Sequence, residues 1–244
     1  TDFMAGYEAR IDPDRCTGCG RCLELCRFDA VRPSFEIDPI ACEGCGVCVD
    51  LCPETAIDFN ETCCGQMFVS NTRFGAMVHA RLGIAQENSG KLVSQVRQEA
   101  RQIAQQADLD FILTDGPPGI GCPVIASLGQ ASAVLIVSEP TVSGLHDMER
   151  VADLAGHFKI PAMVCINKCD LNPEQTKNIA ARSDERGMAV VGQIAFDPMF
   201  IQAMVEKKTI LEYAPDSESA VHVRKIWHKL MSHPVFTQPE KSIL

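Results

Sequence analysis

One seventeen-residue pattern occurs twice near the amino terminus, as "IDPDRCTGCGRCLELCR" and as "IDPIACEGCGVCVDLCP". Both copies have the spacing C-x₂-C-x₂-C-x₃-C, and every cysteine of the first copy recurs 26 residues later. The leading Ile-Asp-Pro recurs at the same offset. The repeat therefore predicts two equivalent four-cysteine sites within one short segment, too small to be held together by a large apolar core.

This spacing is the one used by bacterial proteins that bind two [4Fe–4S] clusters, and residues 11–58 resemble such a ferredoxin. Three thiolates on a tight loop cap three irons of a cubane, and the fourth thiolate comes from the other copy. We therefore predict two clusters with crossed ligand sets. The first set is Cys16, Cys19, Cys22 and Cys52, and the second is Cys42, Cys45, Cys48 and Cys26.

Structural zinc and disulfide bonds are the alternatives for these eight cysteines. Zinc sites usually take their ligands from two separated pairs. Disulfides suit neither the crowding of the cysteines nor an intracellular chain. The duplicated spacing favours iron–sulfur clusters over both.

Five further cysteines lie outside the repeat. Cys165 stands in an apolar run and is predicted to be a core residue. The vicinal pair Cys63 and Cys64 is predicted as two free thiols in a connector, with transfer or sensing as the alternative. No role is predicted for Cys122 or Cys169.

The charge balance limits the possible partners. The chain of 244 residues has a net charge of −10 and is 46% hydrophobic, which argues against bulk binding to nucleic acid or to an anionic membrane. No apolar run approaches the roughly 18 residues of a membrane span, and no signal peptide is visible. We expect a cytoplasmic protein with neither nucleic acid nor membrane as partner.

After residue 90 the sequence alternates between apolar runs and amphipathic helical patterns. Such alternation predicts an α/β fold in which a parallel sheet is covered by helices on both faces. Asn172 and Pro173 are typical of a helix start, as are Asp197 and Pro198, and Ser217 is predicted to begin the last helix. The predicted strands are 111–115, 132–140, 162–168 and 188–197, and helices are predicted at 91–108, about 144–158, 173–187 and 217–231.

Polar residues follow these strands where the carboxyl ends of a parallel sheet gather function. Asp115 could hold a metal-bound water, and Gly119 could offer its N–H to a phosphate. Asn167 could recognise a nucleotide base, and Asp170 could accept two N–H bonds if that base were guanine. "AFDP" (195–198) could flank a base or ribose. The alternatives are a Pro-Gly turn at Asp115, an accidental four-residue match at "NKCD" and plain helix capping at "AFDP"; together the strand ends favour a nucleotide site.

Four segments in this order resemble the MinD/Mrp branch of P-loop ATPases, in particular members with an inserted two-cluster ferredoxin: "DGPPGIGCPV", "SEPTVSGLHDME", "INKCDLNPE" and "IAFDPMFIQA". The resemblance implies that Asp115 and Gly119 belong to the loop that senses Mg²⁺ and the γ-phosphate. It implies that Asn167 faces adenine and that ATP is sandwiched in a homodimer. His146 is expected to be structural.

The family's phosphate loop, Lys-Gly-Gly-x-Gly-Lys-Thr, is absent from the sequence. The stretch "ENSGKLV" (87–93) does not replace it, and Lys91 is predicted to be a solvated lysine in a first helical turn. We therefore expect an ATPase sequence incomplete at its amino terminus. The expected organisation is a connector (1–10), a ferredoxin-like insert (11–60), the remainder of the ATPase domain (61–232) and a tail (233–244).

Two functions remain open at this stage. The first is an ATPase that couples ATP with Mg²⁺ to cluster transfer, metalloprotein maturation or electron delivery to a client or redox partner. The second is a non-enzymatic electron carrier of the ferredoxin type on a degenerate nucleotide-binding scaffold. A cell-division positioning ATPase is less favoured, because "HPVFTQPEKSIL" is too short and proline-broken for an amphipathic membrane anchor.

Overall fold

The computed structural model describes residues 1–83 and 90–237. The chain divides into two compact units, Thr1–Thr114 and Asp115–Leu244. Among the described residues, no helix has both the length and the apolar character needed to cross a bilayer.

The first unit is built on an antiparallel sheet of three strands in the order β1-β2-β3. β1 (Asp2–Ile11) pairs with β2 (Ile57–Thr72), which turns directly into β3 (Gly75–Leu82). Short helices α1 (Arg21–Leu25) and α2 (Val47–Asp50) follow the two cysteine loops, and α3 (Lys91–Gln106) comes later in the unit. The sheet thus joins the chain before the repeat to the chain after it.

Two predicted boundaries differ from this arrangement. Residues 1–10, predicted as a connector, form most of β1, and the boundary predicted at residue 60 falls inside β2. Phe3 of β1 and Cys64 of β2 are buried together with Leu92 of α3. This small core explains why the sheet extends beyond the repeat, and no motif in the sequence marks it.

The vicinal cysteines lie within β2 and not in a connector. Cys64 is buried and Cys63 is exposed, because successive side chains of a strand point to opposite faces. The thiol of Cys64 contacts the carbonyl oxygen of Ala5 in β1. The two thiols therefore have different surroundings.

The second unit is built on a parallel sheet in the order β4-β5-β6. Its strands are β4 (Val134–Ser138), β5 (Ala162–Asn167) and β6 (Ala189–Ile194). The helices in chain order are α4 (Cys122–Leu128), α5 (Val142–His157), α6 (Pro173–Glu185), α7 (Met199–Val205), α8 (Ile210–Tyr213), α9 (Glu218–Met231) and α10 (Pro234–Thr237). The last falls in the predicted tail, whose residues 238–244 lie outside the described residues.

Both faces of this sheet are covered, as predicted. Val164 and Ile166 of β5 belong to one core with Met148 of α5 and Ile179 of α6. The intervening residues Met163 and Cys165 belong to a second core with Val191 of β6 and Ile226 of α9. A central strand buried on both faces reads as a continuous apolar run, which is why periodicity identified it. The predicted burial of Cys165 is confirmed.

The predicted helix starts at Asn172 and Ser217 are observed, whereas α7 begins at Met199, with Pro198 as its N-cap and not its first residue. Asn172 accepts the N–H of Gln175 at 3.1 Å ahead of Pro173, and Ser217 accepts the N–H of Ala220 at 3.2 Å. Helix α5 begins two residues earlier than predicted, because the side chain of Thr141 caps it. These side chains satisfy backbone donors that a helix leaves free at its start.

The segment 111–115 is not a strand in this structure. Leu113 is 94% exposed, and no strand within residues 1–83 and 90–237 pairs with the segment. A strand needs a neighbouring chain to receive its backbone hydrogen bonds, so hydrophobicity alone did not suffice. The parallel sheet of the described residues begins at β4.

Candidate functional site

The eight repeated cysteines line two separate cavities in the first unit. One cavity, of about 340 Å³ and open to solvent, is lined by Cys16, Cys19, Cys22 and Cys52. The other, of about 310 Å³, is lined by Cys42, Cys45, Cys48 and Cys26. In each cavity three cysteines come from one copy of the repeat and the fourth comes from the other. The structure therefore gathers the residues in the same two groups that the sequence spacing indicates.

Glycines allow each cysteine loop to curl around its cavity. Gly18 and Gly20 have φ angles of 70° and 79°, and their counterparts Gly44 and Gly46 have φ angles of 60° and 76°. These angles lie in the left-handed region, which glycine enters without steric cost. The two loops thus share one backbone path.

Matching hydrogen bonds cross from one copy of the repeat to the other. The N–H of Asp12 donates to the carbonyl of Ala56, and the N–H of Asp38 donates to the carbonyl of Ala30, both at 2.8 Å. Residues 12 and 38 occupy equivalent positions, as do residues 30 and 56. This exchange brings the fourth cysteine of each copy to the loop of the other copy.

Both of these fourth cysteines accept a backbone hydrogen bond at sulfur. The N–H of Ala30 donates to Cys26 Sγ at 3.4 Å, and the N–H of Ala56 donates to Cys52 Sγ at 3.3 Å. These two hydrogen bonds hold the sulfur of each fourth cysteine in the same local geometry.

An arginine fixes the start of the first loop to the start of β2. Arg15 donates to Asp12 at 2.6 Å, to Asp58 at 2.5 Å and to the carbonyl of Thr55 at 2.8 Å. The hydrogen bond from Arg15 lowers the pKa of Asp12. In the second copy the N–H of Ile40, and then Arg32, lower the pKa of Asp38.

Burial opposes ionisation of the third thiol in each loop. It raises the pKa of Cys22, and it raises the pKa of Cys48 to about 11, with neighbouring thiols adding to the effect. A bound cation would reverse this balance, because a coordinating thiol is deprotonated. Four sulfur donors around each cavity fit a group that carries positive metal charge.

The thiols are spread around the cavities and not gathered on one point. Within residues 1–83 and 90–237, no three cysteine, histidine or carboxylate side chains stand close enough to hold a single metal ion. The sulfur-only donor set and the room between the donors both suit a cluster of several atoms. The cavities therefore fit the predicted iron–sulfur group.

The second unit brings polar groups together where its strands end. Asn167 is the half-buried last residue of β5, and the next residue, Lys168, forms a 2.6 Å ion pair with Glu139 after β4. Asp170 accepts the N–H of Phe196 after β6 at 2.6 Å. The loops after all three strands are thus joined. The sequence analysis missed the Glu139–Lys168 pair, whose signal was a pair of opposite charges beside predicted strand ends.

The other two predicted nucleotide residues precede helix α4. Asp115 is exposed, and Gly119 has a φ angle of 86°, which allows its loop to turn sharply. In the described part of the chain, no hydrogen bond or ion pair connects Asp115 with Asn167. The structure places these predicted residues in one unit but does not join them directly.

Lys91 and His146, for which the sequence predicted no catalytic role, are both exposed. Lys91 is exposed in the first turn of α3, with Nζ 3.4 Å from the carbonyl oxygen of Met4, while residues 87–89 of the P-loop-like stretch lie outside the described residues. His146 is exposed and lies 3.7 Å from Asp147.

Comparison with protein-family models matches two segments of the chain to two different families. A 4Fe-4S binding domain matches residues 9–32 and 35–58. The family described as a NUBPL iron-transfer P-loop NTPase, of the ParA type, matches residues 88–231, which is more than half of the chain.

Two curated relatives come from Methanocaldococcus jannaschii. The uncharacterized protein MJ0578 is 33% identical over 159 residues, covering 65% of this chain and 55% of that protein. The uncharacterized protein MJ0579 is 24% identical over 112 residues, covering 46% of this chain and 40% of that protein. The chain therefore spans about half the length of the curated relatives it matches.

Among solved structures, the MinC:MinD cell division protein complex of Aquifex aeolicus resembles the chain with a TM-score of 0.51 and 19% identity. The match covers 68% of this chain and 67% of that one. The MinD cell division protein of Aquifex aeolicus gives a TM-score of 0.49 and 20% identity, over 58% of this chain and 61% of that one. At such identities the likeness concerns the fold alone. On the family match and on the arrangement of its cysteines, the chain belongs to the NUBPL iron-transfer P-loop NTPase family and carries a ferredoxin-like 4Fe-4S binding domain.

Proposed function

We propose that the protein is an ATPase that couples ATP binding and hydrolysis to iron–sulfur chemistry, by cluster transfer, metalloprotein maturation or electron delivery. One observation carries the proposal: a single chain holds two crossed four-cysteine cavities and a sheet of the P-loop NTPase family. Neither part alone requires the other. Their combination suggests that nucleotide state and cluster state influence each other.

We propose a [4Fe–4S] cluster in each cavity, held by the four cysteines that line it. Such clusters supply one-electron chemistry. The chain's own part is to hold four thiolates, to support Cys26 and Cys52 with backbone N–H donors, and to cover the cavities partly from water. Structural zinc sites usually take their ligands from two separated pairs, unlike the C-x₂-C-x₂-C-x₃-C runs of this sequence.

In the second unit, Asn167 is proposed to contact adenine. Asp115 is proposed as the catalytic carboxylate, holding a water bound to Mg²⁺, and Gly119 as the donor of a backbone N–H to phosphate. The position of Asn167 at the carboxyl end of β5 supports its role, and the resemblance of "DGPPG" to the family's switch loop supports the roles of Asp115 and Gly119. The Glu139–Lys168 and Asp170–Phe196 contacts would keep the loops in place around the base.

We propose that a phosphate-binding loop on polypeptide outside these 244 residues completes the nucleotide site. The sequence contains no G-x-x-x-x-G-K-[S/T]. In addition, two apolar side chains that further polypeptide could cover are exposed to solvent. Leu113 is 94% exposed, and Val137 of β4 is 61% exposed. The 244 residues alone should bind Mg-ATP weakly, and micromolar affinity by calorimetry would contradict this point.

The proposed partners are a second copy of the chain and a client or redox protein. Dimerisation is inferred from the resemblance to ATPases that enclose ATP between two copies. The related MinD structure is itself a complex with MinC, which illustrates that this fold can present a docking surface. Light scattering of the longer protein with and without Mg-ATP would test dimerisation.

The decisive assay for the enzymatic role uses the longer, phosphate-loop-containing protein after anaerobic purification. Slow ATP hydrolysis is expected, and Asp115→Ala should suppress it. Asp110→Ala, which removes another exposed carboxylate five residues earlier, is the matched control and should leave hydrolysis unchanged. Normal hydrolysis by the Asp115 variant would refute the site assignment. Absence of hydrolysis in a cluster-loaded wild type would favour the electron-carrier alternative.

A further inference from the structure

The two cysteine loops match in sequence but differ in how far the protein covers them. Gly18 of the first loop is exposed, whereas Gly44 at the equivalent position is half-buried. Gly20 is half-buried, whereas Gly46 is buried. The second loop is therefore more deeply covered at its two glycines, whereas the cysteines of the two loops have similar exposure.

An aromatic pair accounts for the difference. Tyr7 of β1 and Phe59 of β2 are stacked with ring centroids 4.9 Å apart. A Cβ at Gly44 would overlap the backbone of Tyr7, and one at Gly46 would lie 3.4 Å from the Phe59 ring. A Cβ at Gly20 would have no described heavy atom within 4 Å, beyond its chain neighbours. A Cβ at Gly18 would lie 3.5 Å from the Phe35 ring, so the first loop is covered at one glycine, whereas β1 and β2 cover the second loop at both.

The first loop also carries a different charge. Residues 10–35 contain five arginines against four carboxylates, whereas residues 36–61 contain seven carboxylates and neither lysine nor arginine. Arg21 and Glu54 line the first cavity, whereas Glu43 and no cation line the second, in which the position equivalent to Arg21 is Val47. A chain with a net charge of −10 therefore places a cation at the rim of its more open cysteine loop.

Arg21 is not neutralised within the described part of the chain. Arg15 is engaged by Asp12 and Asp58, and Arg32 is engaged by Asp38. Arg21 is exposed and takes part in no ion pair among the described residues. Its guanidinium is therefore available to a carboxylate on another molecule, for which its planar donor geometry is suited.

We propose that the first cysteine loop, residues 16–22, is the face through which electrons enter and leave, and that it fits a one-electron carrier whose redox group is surrounded by carboxylates. This inference rests on the proposed pair of clusters. The second cluster, behind Tyr7 and Phe59, is the inner one. Charge complementarity at Arg21 selects the partner and accelerates the encounter.

Small inorganic oxidants of opposite charge test the electrostatic part on the cluster-loaded protein. The clusters are reduced anaerobically and mixed with trianionic tris(oxalato)cobaltate(III) or with tricationic hexaamminecobalt(III). Each cluster then gives one electron to one Co(III), which becomes Co(II), with no proton transferred. Stopped-flow absorbance gives the second-order rate constant for each oxidant.

Two variants change the net charge by the same amount at different positions, and so show whether the position of the charge determines the oxidation rate. Arg21→Gln and Val47→Glu each lower the net charge by one, at positions related by the repeat. Arg21→Gln should slow oxidation by the anion about threefold at low ionic strength and accelerate oxidation by the cation. Val47→Glu should change both rate constants by less than about 1.5-fold. Equal effects of the two variants, or a larger effect of Val47→Glu, would overturn the proposal.

Iron chelation tests independently whether the protein covers the second cluster more than the first. Iron release to bathophenanthroline disulfonate should occur in two phases of equal size, and Tyr7→Ala should accelerate only the slow phase. A single phase in wild type, or acceleration of both phases, would contradict the proposed inner cluster. Metal analysis before either experiment distinguishes the two ways in which the proposal could fail. If iron is absent or replaced by zinc, the proposed clusters are wrong. If iron is present and the rates do not differ, only this inference is wrong.

Discussion

The carboxylate of Asp170 accepts a 2.6 Å hydrogen bond from the backbone N–H of Phe196 and so ties the loop after β5 to the loop after β6. The segment "NKCD" has the letters of a guanine-recognition motif, in which this aspartate would bind the base. Here one of its oxygens already serves the protein backbone. The structure therefore assigns Asp170 a role in holding two loops together.

Replacing Asp170 should affect stability more than base preference. Asp170→Ala removes the acceptor for the Phe196 N–H and should lower the free energy of unfolding by about 1 kcal/mol. Asp170→Asn keeps an acceptor oxygen and should lose less. Urea unfolding followed by circular dichroism measures the difference. An alanine variant as stable as wild type, with a shifted preference between ATP and GTP in the longer protein, would contradict this role.

Because α9 packs on β6, Gly192 of β6 should not tolerate a side chain. A Cβ at Gly192 would overlap the side chain of Ile226, which is buried in the core on this face. Gly192→Ala should therefore destabilise the second unit by about 1–3 kcal/mol through overpacking.

A second glycine provides the control for this substitution. No described heavy atom stands within 4 Å of a Cβ built at Gly156 of α5, apart from its own helix backbone and chain neighbours. Gly156→Ala should be neutral or stabilise the protein by about 0.5–1 kcal/mol, because alanine favours the helix. Comparison of the two urea midpoints tests the contact, and equal midpoints would show that α9 does not pack on β6 in this way.

Cys165 should make the protein less stable at alkaline pH. Burial, with a smaller effect of Cys169, raises the pKa of Cys165 to about 11, above the ordinary thiol value of about 8.5. The unfolded chain therefore loses this proton first, so the stabilising effect is complete below about pH 8.5 and is lost as the pH rises towards 11. Cys165→Ala should flatten this part of the stability profile.

Alkylation gives a second measurement of the same thiol. At pH 8 the thiolate of Cys165 is rare and its sulfur is buried, so iodoacetamide should label exposed Cys122 well before Cys165. Addition of urea should remove the difference. Native labelling of Cys165 as fast as Cys122, detected by mass spectrometry of peptides, would contradict the buried position.

The sequence predicted the parts of the molecule that depend on local spacing. The resemblance of the duplicated spacing to two-cluster ferredoxins implied which cysteines share a cavity, and Asn172 and Ser217 marked helix starts, because capping is a short-range effect. The apolar run around Cys165 predicted a buried strand, because a strand covered on both faces has consecutive apolar residues. Each of these signals lies within a few residues or repeats at a fixed interval.

The sequence did not predict which strands pair when they lie far apart in the chain. β1 pairs with a strand more than forty residues away, and nothing in "TDFMAGYEAR" distinguishes it from a connector. The Tyr7–Phe59 stack depends on that pairing and was equally invisible. Segment 111–115 shows the converse: its apolar residues indicate a strand, but no partner strand is present among the described residues, so strand geometry does not form.

Iron content of two double variants tests the crossed cysteine sets most directly. Cys16→Ser with Cys52→Ala removes two thiols from one cavity and should leave about four irons per chain of the roughly eight in wild type. Cys16→Ser with Cys26→Ala removes two thiols from one copy of the repeat but one from each cavity, and should leave almost none. If the second variant keeps about four irons and the first keeps almost none, each cluster belongs to a single copy of the repeat, and the crossed arrangement is wrong.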